Sequence, residues 1–462
     1  MTHNLKSTRL PPTKVLLTDT NRWALAARLA IGLAEAGCEV SAICPTPGHA
    51  LLKTRAVQRT FNYSGFRPLH SLIAAIDAVD PDIIVPSCDR GIEHLHELYA
   101  FSQTQDPQGK KLAGLIERSL GLPASHSIVG SRFELLALAR EEGICVPRTA
   151  RVGTAQQLES WSAHEPFPWV LKADGTWGGG GVKIVHSHEQ IRSSFTQLDR
   201  MFRLRRALKR LFVNRDSFGL RPWWQRSQHP VSVQSYIHGR PANCAVVCWQ
   251  GRVLAGIAVE VVASDGLTGP ACIVRVVDNP EMMRAAARLA ARLGLSGFFG
   301  LDFMIEERTG AAYLIEMNPR ITPLCHLRLG PGRDMPAALH AELTGQTGVE
   351  PQSMTDNEMI AYFPQAWNGD HDLLSGCFHD VPQGEPELVQ ELLRPFPDRT
   401  FLFRLISHLS QGSKSALPTQ TSPSHAPNLA TDIPSSDFAE ETLRTPLKPI
   451  SPPNPKVRSA RP

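Results

Sequence analysis

GFFGLDFMIEERTGAAYLIEMNPR, residues 297–320, is the stretch from which the rest of this 462-residue chain is best read. Residues 298–305 are mostly apolar, 306–310 are charged and end in Gly310, and 312–315 are apolar again, so two short strands and a turn are predicted. Near the ends of these strands, where apolar residues would be expected, stand Asp302, Glu316 and Asn318. If the strands pair, Asp302 and Glu316 can face each other, and Asn318 shares the face of Glu316 because strand side chains repeat every second residue. Two carboxylates and an amide oxygen, with room for water and phosphate oxygens, suit a magnesium ion held jointly by protein and nucleotide. Either carboxylate alone could belong to an ordinary charged hairpin. Their spacing with Asn318, Pro319 and Arg320 is what favours a metal site.

The partner stretch is WVLKADGTWGGGGVKIV, residues 169–185. A short strand delivers Lys172, a loop follows with Asp174, Gly178, Gly179, Gly180 and Gly181, and a second strand resumes at Val182. Glycines let backbone N–H groups approach an anion closely, and Lys172 adds a point charge, so the loop can cover phosphates. A flexible hairpin is the plainer reading of a glycine run. A Walker loop is excluded, because no Gly-Lys-Ser or Gly-Lys-Thr follows.

Together the two stretches resemble the ATP-grasp superfamily, in which a strand lysine, a glycine-rich hairpin lid and a late Asp, Glu-x-Asn pattern clamp Mg-ATP between two α+β subdomains. The matching segments are KADGTWGGGGV from Lys172, GLDF from Gly300 and IEMNPR from Ile315, in the family's order, and the resemblance covers roughly residues 127–345. It implies ATP and magnesium as cofactors, with manganese as an alternative ion. Asp302, Glu316 and Asn318 would be the metal ligands, and Lys172, Asp174 and Gly178 to Gly181 would hold the nucleotide phosphates. It also makes Gln234, Ser235, Tyr236 and Ile237 the hinge whose backbone reads adenine. Many members place a ribose-binding Glu two residues past the following glycine; here Pro241 stands there, with Asn243 a candidate substitute.

The composition sets limits on the rest. A chain of 462 residues predicts two to four domains, and a net charge of +4 over that length demands neither a nucleic-acid nor a membrane partner. Nine cysteines without a Cys-x-x-Cys pair argue against a zinc knuckle and a disulfide framework, and a reduced cytoplasm is the simplest setting. The N-terminus lacks an apolar signal core, and no apolar run is long enough to span a bilayer.

Residues 1–12 read as a flexible start, and 13–126 as an α/β domain: strands near 14–18, 39–43 and 83–85 alternate with helices near 22–36 and 69–79. Such alternation means a parallel open sheet with loops free for a ligand, and without Gly-x-Gly-x-x-Gly a dinucleotide site is not expected. Asp19, Asn21 and Asp89 at those loops are candidates for substrate contact or for helix capping. Ser131 and Glu134 form a capping box opening a helix that stops at Gly143, and Arg132 beside it takes the place of the basic residue, commonly lysine, that reaches the phosphates in the family.

A lid subdomain is expected over about 147–235. Within it, MFRLRRALKRLF (201–212) predicts a basic amphipathic helix, either packed on the lid with its charges in water or drawing in an acidic substrate, and Trp223 and Trp224 could pack beneath it. Cys244 and Cys248 point to one strand face and read as core. Glu260, Arg275 and Arg320 complete the candidate site, the two arginines as catalytic groups that stabilise charge on the transferring phosphoryl or hold a substrate carboxylate. Residues 346–410 form a C-terminal extension, and 411–462, rich in Pro, Ser and Thr, a disordered tail.

The resemblance therefore predicts a cytoplasmic ATP-dependent ligase that activates a carboxylate as an acylphosphate for attack by an amine, using small-molecule substrates and compatible with a homodimer. Alternatives are an ATP-binding regulatory protein that has lost turnover, and a carboxylase-like or phosphotransferase member. The fold expected is an α/β parallel-sheet domain followed by an α+β ATP-grasp fold.

Overall fold

The computed structural model describes residues 12–394 apart from 22, 104–105, 162–164, 174–180, 201–230, 266–268, 347–351 and 369–370. The expectations for Asp174, Gly178, Gly179, Gly180, the basic helix at 201–212, Trp223, Trp224 and the tail lie outside the described residues.

Strands Lys14–Thr18 (β1), Glu39–Cys44 (β2), Val57–Asn62 (β3) and Ile83–Pro86 (β4) form an all-parallel sheet in the order β3-β2-β1-β4. β1, β2 and β4 are almost wholly buried, which is why they stand out in the sequence as mostly apolar runs. β3, VQRTFN, is an edge strand with mostly exposed side chains and carries no such run, so sequence reading missed it. The loops at the carboxyl ends of β1 and β4 carry Asp19 and Asp89. Asp19 is fully buried and accepts the Asn21 N–H at 2.8 Å in a local turn; the helix that follows begins at Leu25 without a side-chain cap. Asp89 opens the helix Asp89–Phe101.

The second sheet contains Thr149–Val152 (β5), Trp169–Ala173 (β6), Val182–Val185 (β7) and Val231–Ser235 (β8), antiparallel in the order β5-β8-β6-β7. Alternation along β6 and β8 sends Trp169, Leu171, Val231 and Val233 into a core of their own with Leu158, Ile191 and Leu198. Lys172, whose register partner is Ser232, and Gln234 two residues on therefore share the opposite face.

The third sheet holds Gly239–Trp249 (β9), Arg252–Ser264 (β10), Ala271–Val277 (β11), Gly297–Glu306 (β12), Ala312–Asn318 (β13), Met359–Tyr362 (β14) and Phe378–Asp380 (β15), in the order β13-β12-β9-β10-β11-β14-β15. Phe299, Leu301 and Phe303 of β12 pack with Met282, Ala286 and Leu289 of the helix Pro280–Leu293 and with Leu135 and Leu136 of the helix Arg132–Glu141. Phe298 of β12, with Ala245 and Val247 of β9, packs instead toward the helix Leu25–Glu35. The sheet is thus covered on both sides, and truncating a residue such as Phe303 to Ala would cost about 3–5 kcal/mol.

The segment after Gly345 is not a separate appendage. β14 pairs antiparallel with β11, β15 pairs parallel with β14, and Asp380 at the end of β15 accepts bonds from Arg28 and from His326 Nε2, the latter at 2.7 Å. The boundary expected at 345 therefore falls inside one continuous sheet, because its last two strands lie beyond a helix and a loop that reads as an ending.

Candidate active site

β12 and β13 bring the acids together by register. Asp302 stands opposite Glu316, Gly300 opposite Asn318, and on the other side of β12 Asp302 stands opposite Asn243 of β9. A bulge falls immediately after the Asp302 and Glu316 pair, with Phe303 opposite Leu314. The inserted residue lets Leu314 and Met317, three apart, both enter the apolar core while Glu316 and Asn318 keep to the other face. Asp302 and Glu316 are in mid-strand and near strand end respectively, since β13 runs to Asn318, three residues farther than apolarity alone suggests. Glycine is required at 300: a Cβ there would lie 2.2 Å from Thr322 Cγ2, so the chain following Arg320 packs directly on the β12 backbone.

Hydrogen bonds then fix the side chains. Asn243 Nδ2 donates to Asp302 Oδ1 at 2.7 Å, and Asn318 Nδ2 donates to Asp302 Oδ2 at 3.1 Å. Arg132 Nη2 donates to Glu316 Oε1 at 2.6 Å. Arg320 donates through Nε to Asp89 Oδ2 at 3.1 Å and through Nη2 to Asn318 Oδ1 at 3.3 Å, with its guanidinium 5.3 Å from the Trp23 ring centre. Burial pushes the Asp302 carboxyl above its ordinary range, helped by the neighbouring Glu316 charge. Burial pushes Glu316 the same way, but Arg132, Lys172 and Arg320 outweigh it and hold that carboxyl below its ordinary range. Lys172 of the second sheet is therefore close enough to Glu316 of the third for their charges to act on each other.

Gln234 is buried on the Lys172 face of its sheet, and its Nε2 has no hydrogen-bond partner among the described residues. Leaving a buried amide donor unmatched costs about 1–3 kcal/mol. Ser235 Oγ accepts the Arg148 N–H at 3.0 Å, Tyr236 meets the His238 ring edge-on, and Ile237 is half-buried. The Gly181 carbonyl accepts the Ala173 N–H at 3.0 Å and closes the β6 to β7 hairpin.

Residues 131–323 match the ATP-grasp domain family. The chain carries an ATP-grasp domain. Among solved structures, it is similar to a biotin carboxylase from Campylobacter jejuni in complex with β,γ-ATP (TM-score 0.53, 14% identity, covering 73% of this chain and 72% of that one). It is also similar to the biotin carboxylase domain of the Hydrogenobacter thermophilus 2-oxoglutarate carboxylase, solved with MgADP, ADP and bicarbonate (TM-score 0.50, 16% identity, covering 74% and 71%). At those identities the likeness concerns the fold. Over 173 residues the chain is 21% identical to the arginine-specific carbamoyl phosphate synthase large chain of Geobacillus stearothermophilus, covering 36% of this chain and 14% of that one. It spans less than half the length of each of these curated relatives.

Within the ATP-grasp domain, Arg132, Asp302, Glu316, Asn318 and Arg320 are held together by hydrogen bonds, and the Lys172 charge acts on Glu316. Arg275 does not join them. It is exposed on β11 opposite Glu260 and Met359, three strand spacings from β12, about 14 Å at ~4.8 Å per strand. Glu260 pairs instead with Arg240 at 3.1 Å. Asn243 Nδ2 is bonded to Asp302, and Cys244 and Cys248 are core residues. Trp23 was missed, for a lone tryptophan after a strand carries no signal of what it will lie against. Asp89 could be flagged only as a strand-end acid, because its arginine lies 231 residues away.

The donor set fits a hard divalent cation: two carboxylates and an amide share one sheet face, and both carboxylates are already held by N–H donors that fix their orientation. Among the described residues no group of three His, Cys, Asp or Glu offers an alternative metal centre.

Proposed function

We propose that the protein is an ATP-dependent ligase that transfers the terminal phosphoryl group of ATP to an acceptor carboxylate, which an amine then attacks with release of phosphate to form an amide. The observation that supports this reading most is the hydrogen-bonded set of Arg132, Glu316, Asp302, Asn318 and Arg320 on one sheet face, with Lys172 of the neighbouring sheet near enough for its charge to act on Glu316. Magnesium, when bound, would supply positive charge that neutralises the phosphate charge there. Asp302, Glu316 and Asn318 would hold it. Lys172 and Arg132 would contact the phosphates, and Gln234 to Ile237 would lie along the base, where the unmatched Gln234 amide gains a partner. Chemistry of this kind needs no protein nucleophile, only positioned charge and exclusion of water.

The Arg320 and Asp89 pair supports an acceptor bearing both a carboxylate and an amine. Arg320 stabilises negative charge, while Asp89, 3.1 Å away, attracts an ammonium group. Arg275 takes no part in this reading: Asp302, Asn243, Val259 and Val276 stand in one register row, so Arg275, next along β11, points to the other face of the sheet. A carboxylase reading, with bicarbonate as acceptor, draws on the biotin carboxylase likeness. Purified protein with Mg-ATP is given pools of amino acids and small acids, or bicarbonate alone, and ADP release is measured. Release that requires an acid together with an amine supports the ligase. Release with bicarbonate alone moves the assignment to a carboxylase, and nucleotide binding with no release under any condition leaves a binding protein.

A further inference from the structure

This inference rests on the nucleotide reading above and concerns the order in which that site is assembled. Glu316 Oε1 holds the Arg132 guanidinium at 2.6 Å, and the arginine side chain is only 9% exposed, so the pair is a packed contact and not a loose surface bridge. Among the cations acting on Glu316, Arg132 is the strongest, ahead of Lys172 and Arg320. Its backbone is pinned. Ser131 Oγ caps the helix by accepting the Glu134 N–H at 3.4 Å, and Arg151 of β5 donates to both Ser131 Oγ and Glu134 while lying over the Phe133 ring. Only the side chain can swing.

A divalent cation on Glu316 would stand about 2.0–2.6 Å from a carboxylate oxygen. That places it against the guanidinium already bonded to the same group. Asp302 presents no such conflict, because its partners Asn243 and Asn318 are neutral amides. Phosphate offers a guanidinium the same forked acceptor geometry as a carboxylate. We propose that Arg132 is the resident counter-ion of Glu316 and keeps a divalent cation off that carboxylate until nucleotide phosphates draw the guanidinium away. Metal and nucleotide then enter together, and metal alone does not precede nucleotide. The expected phosphate role of Arg132 and its observed contact with Glu316 are two positions of one side chain.

The probe is Mn2+ alone, titrated into the full chain without nucleotide and followed by the loss of the free-ion electron paramagnetic resonance signal. Wild type takes up no saturable Mn2+ below ~1 mM, the weak end of oxygen-ligand sites. Arg132→Gln binds Mn2+ at least about tenfold more tightly, a coupling of ordinary size. Arg132→Lys, which keeps the charge, behaves like wild type, and the double variant Arg132→Gln with Glu316→Gln loses the gain. Equal Mn2+ affinity in wild type and Arg132→Gln overturns the proposal. If Arg132→Gln does not fold, wild type decides: saturable Mn2+ uptake without nucleotide overturns it, and protein-bound Mn2+ that appears only with ADP, beyond the uptake by the same ADP without protein, supports it. Calorimetry with Mg-ATP separates the two readings, since wild type that takes up no nucleotide even with Mg2+ present sinks the nucleotide site itself, whatever Mn2+ alone does.

Discussion

Arg28, Asp380 and His326 form a charged cluster in which no side chain is more than 9% exposed, whereas in the candidate site Glu316 keeps 30% of its side-chain surface and Asp89 41%. Both clusters join segments far apart in sequence, and both contain arginine and carboxylate. They differ in what can reach them. The sealed cluster ties the helix Leu25–Glu35, the loop after Arg320 and the last strand of the large sheet, and no solute can exchange for its partners. Its charges are retained because each would be costly to leave alone in a dry interior. The open cluster faces another sheet and has partners that a ligand can replace. The arginines Arg132 and Arg320 are about as buried as Arg28, so it is the exposure of the carboxylates that separates charge that holds the fold from charge available for chemistry.

The strongest attack on this contrast is Glu316→Ala. Loss of an exposed-side oxygen ligand should lower acceptor-dependent ADP formation by about a thousandfold or more, with the melting temperature within about 4 °C of wild type. Retained turnover would mean the magnesium ligands have been misassigned. Asp380→Ala should do the reverse, destabilising the fold by about 3–5 kcal/mol in denaturant because Arg28 and His326 lose their shared acceptor. Nucleotide affinity of the folded fraction should stay unchanged. A stable Asp380→Ala protein with impaired nucleotide binding would erase the distinction between the clusters.

Arg320→Gln should lower kcat/KM by about a hundredfold, as for loss of one preorganised donor, while leaving denaturant stability within about 1 kcal/mol. A stability loss as large as that of Asp380→Ala would place Arg320 among the structural charges. The gentlest test is pH. Burial lowers the His326 pKa below its ordinary 6.5 despite Asp380, so the ring is neutral and Nε2 donates to the carboxylate. The unfolded chain then takes up that proton first, and stability must fall as pH drops below about 6.5. His326→Gln should flatten that part of the melting-temperature profile; an unaltered profile would show that His326 does not contribute to it.

Much of this was legible along the chain because it is local. The apolar runs of β1, β2 and β4, the Ser131 cap, Gly310 at the turn and the three oxygen donors near residues 302–318 all announce themselves within a few positions. What escaped depends on partners. Edge strand β3 has no buried face to mark it. The bulge beside Asp302 cannot be inferred from alternation, which would send Leu314 to the face of Glu316. Asn243 shows itself as a support for Asp302 only once β9 is seen beside β12.

By itself the order of residues determined which chemical groups could hold phosphate and metal, and which stretches must be strands, since propensity and periodicity act over a few residues. Only the tertiary structure decided that Arg132 lies on Glu316, that Asp89 meets Arg320, and that β14 and β15 complete the large sheet. Those pairings span 184 and 231 residues of chain, and hydrogen bonds and charge act through space, where distance along the chain leaves no trace.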